Sequence, residues 1–92
     1  MTEPNPRRLK AFIVFDRPNE YGHTIFFRVD GNIYYADITS RVYPTETMIF
    51  PCSKDGEPDF GKELYVAYHD EPRREYLLED ITSFLLEGGM SI

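Results

Sequence analysis

Five short segments rich in β-branched and aromatic residues follow one another along the first three quarters of the chain, separated by residues typical of turns. Segments of this length and composition predict β-strands. The predicted strands cover residues 9–16, 23–29, 32–38, 47–50 and 63–69. Pro51 ends the fourth strand because proline lacks the N–H that a sheet needs. A long loop over residues 51–62 then leads to the fifth strand.

The first predicted strand contains the longest apolar run of the chain, Ala-Phe-Ile-Val-Phe at residues 11–15. A strand with one solvated face normally alternates apolar and polar residues, whereas an uninterrupted apolar run is typical of a strand covered on both faces. We therefore predict that residues 9–16 form an interior or half-interior strand.

A hairpin is predicted where Asp30 and Gly31 lie between two strand-like segments. This dipeptide favours a two-residue turn, in which both central residues take positive φ. The turn fixes the register of the flanking strands. The predicted cross-strand pairs are Phe26 with Tyr35 and Arg28 with Ile33 on one face, and Phe27 with Tyr34 and Ile25 with Ala36 on the other.

The last predicted element is an amphipathic helix that ends near Glu87, before two glycines at positions 88 and 89. Asp70 is the predicted N-cap, with Glu71 and Pro72 in the first turn. Apolar residues recur at three- and four-residue spacing. They form the predicted buried stripe: Leu77, Leu78, Ile81, Phe84 and Leu85.

The order of five strands and then one helix predicts an α+β fold, with an antiparallel sheet of about five strands and the C-terminal helix packed on one face. With 92 residues, there is room for a single domain. We predict a disordered arm over residues 1–8, where two prolines occur and nothing is available to bury, and one domain over residues 9–92.

Composition indicates a soluble globular protein, since 41% of the residues are hydrophobic and no apolar run approaches the length of a membrane span or a signal peptide. Cys52 is the only cysteine, which excludes an intramolecular disulfide and a multi-cysteine zinc site. A cytoplasmic location fits best.

Residues suited to catalysis are few. The chain contains two histidines, His23 and His69, and no glycine-rich phosphate loop, His-Glu-x-x-His motif or nucleophile elbow. His69 and Asp70 are adjacent on a predicted strand and point to opposite faces, so they do not share a metal. We predict a non-enzymatic protein with neither metal nor cofactor.

One helix covers only one face of a five-stranded sheet, so aromatic residues on the other face either stay exposed or are covered by another chain. The candidate residues for this surface are Phe12, Phe26, Arg28, Ile33 and Tyr35. Rings beside an arginine are similar to the base-stacking platforms of single-strand-binding sheets. Core packing, a homodimer interface, a protein partner and a nucleotide site are the alternatives, and we expect a homodimer through this face or an edge strand.

Charge is distributed unevenly along the chain, whose net charge is −6. Residues 1–41 contain six basic and five acidic residues, whereas residues 42–92 contain four basic and eleven acidic residues. An acidic surface repels phosphate backbones, which disfavours direct nucleic-acid binding and favours a partner protein with a basic surface. The predicted partner-binding acidic face consists of Glu71, Glu75, Glu79 and Asp80.

Residues 45–81 combine a strand that ends in Phe50 and Pro51, a turn at residues 54–56, a strand from Glu63 and a following helix. This pattern resembles small bacteriophage-encoded accessory proteins. The resemblance implies a protein that binds and inhibits a host defence protein. With the acidic surface, it suggests an inhibitor of a host nucleic-acid-handling defence complex, similar to an anti-CRISPR protein. The alternative is a small-ligand or nucleotide-binding domain that uses the aromatic sheet face.

Overall fold

A computed structural model of the chain describes residues 11–87, in which a five-stranded antiparallel sheet is followed by one helix packed against it. The elements are β1 (Ala11–Asn19), β2 (Gly22–Val29), β3 (Asn32–Thr39), β4 (Thr45–Pro51), β5 (Tyr65–His69) and α1 (Arg74–Leu86). Each strand pairs with the next one in the chain, so the spatial order is β1-β2-β3-β4-β5. The predicted α+β fold is confirmed.

The hairpin between β2 and β3 has the predicted register. Asp30 and Gly31 form the turn with φ angles of 48° and 89°, the left-handed conformation that such a turn requires. The predicted pairs are all present: Phe26 with Tyr35, Arg28 with Ile33, Phe27 with Tyr34, and Ile25 with Ala36. Because side chains alternate between the faces of a sheet, this register determines which residues face the helix.

The helix lies across β2, β3, β4 and β5 and buries one face of the sheet against its apolar stripe. Leu77, Ile81 and Phe84 are buried, and Leu78 and Leu85 are partly buried, which confirms the predicted stripe. The sheet contributes a set of buried side chains that share the same face. They include Ile25, Phe27 and Val29 from β2, Tyr34, Ala36 and Ile38 from β3, and Ile49 from β4.

Aromatic rings form the centre of this core. The Phe84 ring packs edge-on against Phe27 and Tyr34, with centroids 6.4 and 5.9 Å away. Phe27 and Tyr34, which are cross-strand partners, stack on each other at 5.5 Å. Phe84 also contacts Tyr65 of β5, so a single helical residue joins three strands.

The prediction of an interior first strand is wrong. β1 is an edge strand, and all of its nine residues are exposed. The strands form a simple meander, which places the first strand at one edge, and the helix packs on β2 to β5 without covering β1. The apolar residues 11–15 are therefore exposed to solvent, whereas the sequence predicted that other elements cover them.

The predicted start of the helix is also wrong. The helix begins at Arg74, with Arg73 at the N-cap and no side-chain capping bond, and Asp70 lies four residues before it. Asp70 directly follows the last residue of β5, so the chain uses residues 70–73 to pass from the sheet to the helix. A turn precedes the helix, because the Arg73 N–H donates to the Glu71 carbonyl.

Other predicted boundaries shift by a few residues. β1 continues to Asn19, β4 begins at Thr45 instead of residue 47, and β5 begins at Tyr65 instead of residue 63. The predicted arm over residues 1–8 and the glycines at 88 and 89 lie outside the described residues. Over residues 11–87, the single helix is too short to cross a bilayer.

Removal of the Phe84 ring tests how far the fold depends on helix packing. We expect Phe84→Ala to lower the free energy of unfolding by about 3–5 kcal/mol, because it removes a ring that contacts three strands and leaves a cavity. Urea denaturation measures the change. Leu86→Ala in the same helix is the matched control, since Leu86 is 70% exposed and its truncation leaves the core intact. Equal midpoints for the two variants would contradict this packing.

Candidate functional site

The face of the sheet opposite the helix, called here the open face, contains all five residues predicted to share a surface. The register places Phe12 beside Arg28, and Arg28 beside Ile33. Phe26 lies beside Tyr35 on the same face. Phe12 and Arg28 are exposed, whereas Phe26, Ile33 and Tyr35 are partly buried by their neighbours.

A continuous row of rings crosses the open face from β1 to β4. Phe15 packs on Phe26 with centroids 5.7 Å apart, Phe26 on Tyr35 at 5.1 Å, and Tyr35 on Phe50 at 6.1 Å. Phe60, in the loop between β4 and β5, lies against both Tyr35 and Phe50. The Phe60 ring remains 64% exposed, so it covers only the β3–β4 part of the row.

A surface cavity of about 380 Å³ lies at this end of the row. Its lining residues are Asn19, Tyr35, Asp37, Thr39, Arg41, Val42, Met48, Phe50 and Phe60. The Tyr35 hydroxyl donates to the Asp37 carboxylate at 2.9 Å. Burial raises the pKa of Tyr35 to about 12 and also raises the pKa of Asp37 above its ordinary value. The cavity thus combines aromatic walls with one carboxylate and one guanidinium.

Sequence reasoning missed Asp37, Phe50 and Phe60 as members of this surface. Alternation from Tyr35 along β3 was a usable signal for Asp37, since residues two apart on a strand share a face. Phe60 offered no such signal, because it reaches the open face from a loop.

The acidic second half of the chain forms β4, β5 and α1, which are neighbours in the fold, and the 52–64 loop, whose Phe60 lies on the opposite face of the sheet from α1. We call residues 42–87 the acidic region; they contain four basic and eleven acidic residues. Glu75 and Glu79 of the predicted acidic face are exposed on the helix. Glu71 is exposed too, but its carboxylate accepts a hydrogen bond from Arg73 Nε at 3.1 Å.

Asp80 does not belong to the exposed acidic face, and its predicted placement there is wrong. Its side chain is buried, and its carboxylate is 2.7 Å from Nε2 of His69 on β5. His69 in turn stacks on Tyr76 of the helix at 4.7 Å. Asp80 lies one position before Ile81 on the helix and at the margin of the buried stripe, where a polar partner across the interface permits burial.

A second histidine–aspartate pair links β1 to the rest of the fold. The buried His23 pairs with Asp16 at 2.5 Å. Arg74 Nε donates to both oxygens of the same carboxylate at 3.1 Å. Hydrogen bonds from Arg74 and then His23 lower the pKa of Asp16 to about 2. This contact joins the first turn of the helix to β1.

Among residues 11–87 no group of three or more His, Cys, Asp or Glu side chains has an arrangement suited to a metal ion. Cys52 is a free, partly buried thiol whose pKa is raised by burial. Comparison with known proteins gives no match to a family model, a curated protein or a solved structure.

The Asp16 contact predicts an acid dependence of stability. Because folding lowers the pKa of Asp16 from 3.8 to about 2, its stabilising effect is complete above pH 3.8 and is lost as the pH falls through 2. We expect Asp16→Asn to lower the free energy of unfolding by about 1 kcal/mol at pH 6, after allowance for solvent screening of this partly exposed pair. Denaturation of both proteins from pH 6 to pH 2 measures the difference, which should shrink with acid. A constant difference would exclude this role.

Proposed function

We propose that this protein is a non-enzymatic binding module and that the acidic region is its contact surface for a protein with a basic surface. The observation that supports this most strongly is the concentration, in that region, of carboxylates that form no ion pair with residues 11–87. Opposite charges steer association and select partners whose surface potential is complementary.

Most carboxylates of the acidic region are available to a partner. Of its eleven acidic residues, Glu71 pairs with Arg73 and Asp80 pairs with His69. The other nine form no ion pair with residues 11–87. They are Glu46, Asp55, Glu57, Asp59, Glu63, Asp70, Glu75, Glu79 and Glu87.

The basic residues of the same region compensate little of this charge. Arg73 is engaged by Glu71, and Arg74 by Asp16 on β1. Lys54 and Lys62 are the remaining two. The helix and the loop therefore each contain more acidic than basic residues.

Carboxylates fixed on a small folded domain provide anionic groups comparable to the phosphates of a nucleic acid. A groove lined with arginine and lysine, as in nucleic-acid-handling proteins, has the complementary charge. The resemblance of residues 45–81 to phage accessory proteins favours a host defence complex as the protein that contains this groove. On this proposal the protein competes with nucleic acid for the groove.

Charge reversal on the outer helix face tests the proposal. The double variant Glu75→Lys with Glu79→Lys should bind a captured host partner roughly tenfold more weakly, since four units of charge change on an exposed surface. Binding of the parent should also weaken steeply as salt is raised and when duplex DNA or RNA is added. The parent protein is first used to capture the host partner. Biolayer interferometry then measures the affinity of that partner for the parent and for each variant.

Glu20→Lys provides the matched control, because Glu20 is an exposed carboxylate in the β1–β2 turn, outside the acidic region. We expect a near-parental affinity for this variant. Salt-independent binding, or equal losses for Glu20→Lys and the helix variant, would rule out the acidic region as the contact surface.

A second candidate function is supported by the cavity on the open face. Its aromatic walls, with Arg41 and Asp37 at the margin, suit a small planar ligand such as a nucleotide. A ligand that binds the folded state raises the melting temperature. We expect a nucleotide panel to produce such a shift for the parent and for Tyr43→Ala, whose ring is outside the cavity lining, but not for Phe60→Ala. No shift for the parent with any nucleotide would remove this candidate.

A further inference from the structure

Four consecutive apolar side chains on the edge strand β1 remain largely exposed among the described residues 11–87. Phe12, Ile13, Val14 and Phe15 are 61, 50, 56 and 40% exposed. No charged residue interrupts them, whereas exposed edge strands usually contain charges that discourage pairing. Such a segment on a folded monomer marks an interaction surface.

The apolar side chains lie on both faces of the strand. Phe12 and Phe15 face the open side, because their partners on β2 are Arg28 and Phe26. Ile13 pairs with Phe27 and so faces the helix side. A β-bulge lies between Ile13 and Phe15, and Val14 is its extra residue. The bulge brings Phe12 and Phe15 to the same face of the strand. Covering both faces requires a partner that extends the sheet.

The charge distribution favours a second copy of the chain at this edge. In β1 the charged residues are Asp16 and Arg17, which have opposite signs, and Asp16 is already bound by Arg74. The excess of negative charge lies in the acidic region, which begins beyond β3. Two copies that meet through β1 therefore keep the carboxylates of β4 and of the segments that flank β5 at opposite ends, where repulsion between them is weakest, and α1 meets β1 through the cation Arg74.

The other edge of the sheet is less suited to pairing. β5 contains five residues, and Glu63, Asp70 and Glu71 lie close to its two ends. Two copies that met through β5 would bring these carboxylates together, which is unfavourable.

We infer that the chain forms a two-fold symmetric dimer in which β1 pairs antiparallel with β1 of a second copy to make a continuous ten-stranded sheet. In the register that places Phe12 opposite Phe15 of the second copy, both members of each such pair lie on the open face. The same register places Ala11 opposite Asp16 of the second copy, both on the helix side. The aromatic row of the open face then continues across the symmetry axis.

The exposed apolar side chains of β1 supply a substantial part of the area that such a dimer buries. A phenylalanine side chain buries roughly 150–250 Å², so the exposed parts of these four side chains amount to several hundred Å² in each copy. A standard-sized interface buries about 800 Å² per partner. Backbone groups of β1 and the neighbouring Arg17 and Arg28 side chains add to this area, and β1 gains hydrogen bonds along the edge that faces away from β2.

Oligomeric state measured against concentration tests the inference. Sedimentation equilibrium of the parent should give twice the 10.8 kDa chain mass at micromolar concentrations. Ile13→Lys should give the single-chain mass, because it introduces like charges next to the symmetry axis. Tyr68→Lys on β5 is the matched control, because Tyr68 is 60% exposed at the other edge against 50% for Ile13, and this variant should remain dimeric.

Hydrogen exchange of the β1 amides distinguishes this dimer from one formed through the open face. Amides of β1 that point away from β2 should be protected in the parent and exchange at least tenfold faster in Ile13→Lys, whose circular dichroism should match that of the parent. A monomeric parent at micromolar concentrations would overturn the inference. A dimer without protection of these amides, or one broken by Tyr68→Lys and not by Ile13→Lys, would also overturn it.

Discussion

The contact of Phe84 with Phe27 and Tyr34 is the constraint from which the other surfaces of this protein follow. A helix of 13 residues is marginal on its own in water, so its stability depends on the apolar stripe that it buries. One such helix covers a single face of the sheet across β2 to β5. The opposite face and the β1 edge are consequently left to loops, solvent or other molecules.

In the meander, the order of the strands in the sheet is the same as their order in the sequence. Because consecutive strands are neighbours, β1 and β2 from the nearly neutral first half lie at one side of the sheet, and β4 and β5 from the acidic second half lie at the other. The helix crosses between the two sides and binds β1 through Arg74. The apolar edge is thereby separated from the carboxylates of β4 and of the segments that flank β5. Self-association at the first and partner binding at the second would not compete for the same residues.

The sequence was sufficient to predict features determined by local periodicity and turn chemistry. The pairing of Phe26 with Tyr35 follows from the two-residue turn, and the burial of Phe84 follows from helical spacing. Features determined by the tertiary arrangement were inaccessible. An apolar run such as residues 11–15 has the same pattern in an interior strand and at an exposed edge, and the burial of Asp80 depends on His69, which reaches it from β5. The role of Phe60 depends on the path of a loop.

The separation of the two surfaces is tested most directly by a nuclear magnetic resonance titration with an oligo-arginine peptide, read out at every backbone amide. The peptide supplies the basic chemistry expected of the partner without its shape. Shifts at low salt should be confined to the acidic region, with the largest at Glu75, Glu79 and the 52–64 loop, and should disappear at high salt. Shifts centred on Phe12, Phe15 and Arg28 would contradict the division of the molecule into an acidic binding region and an apolar edge.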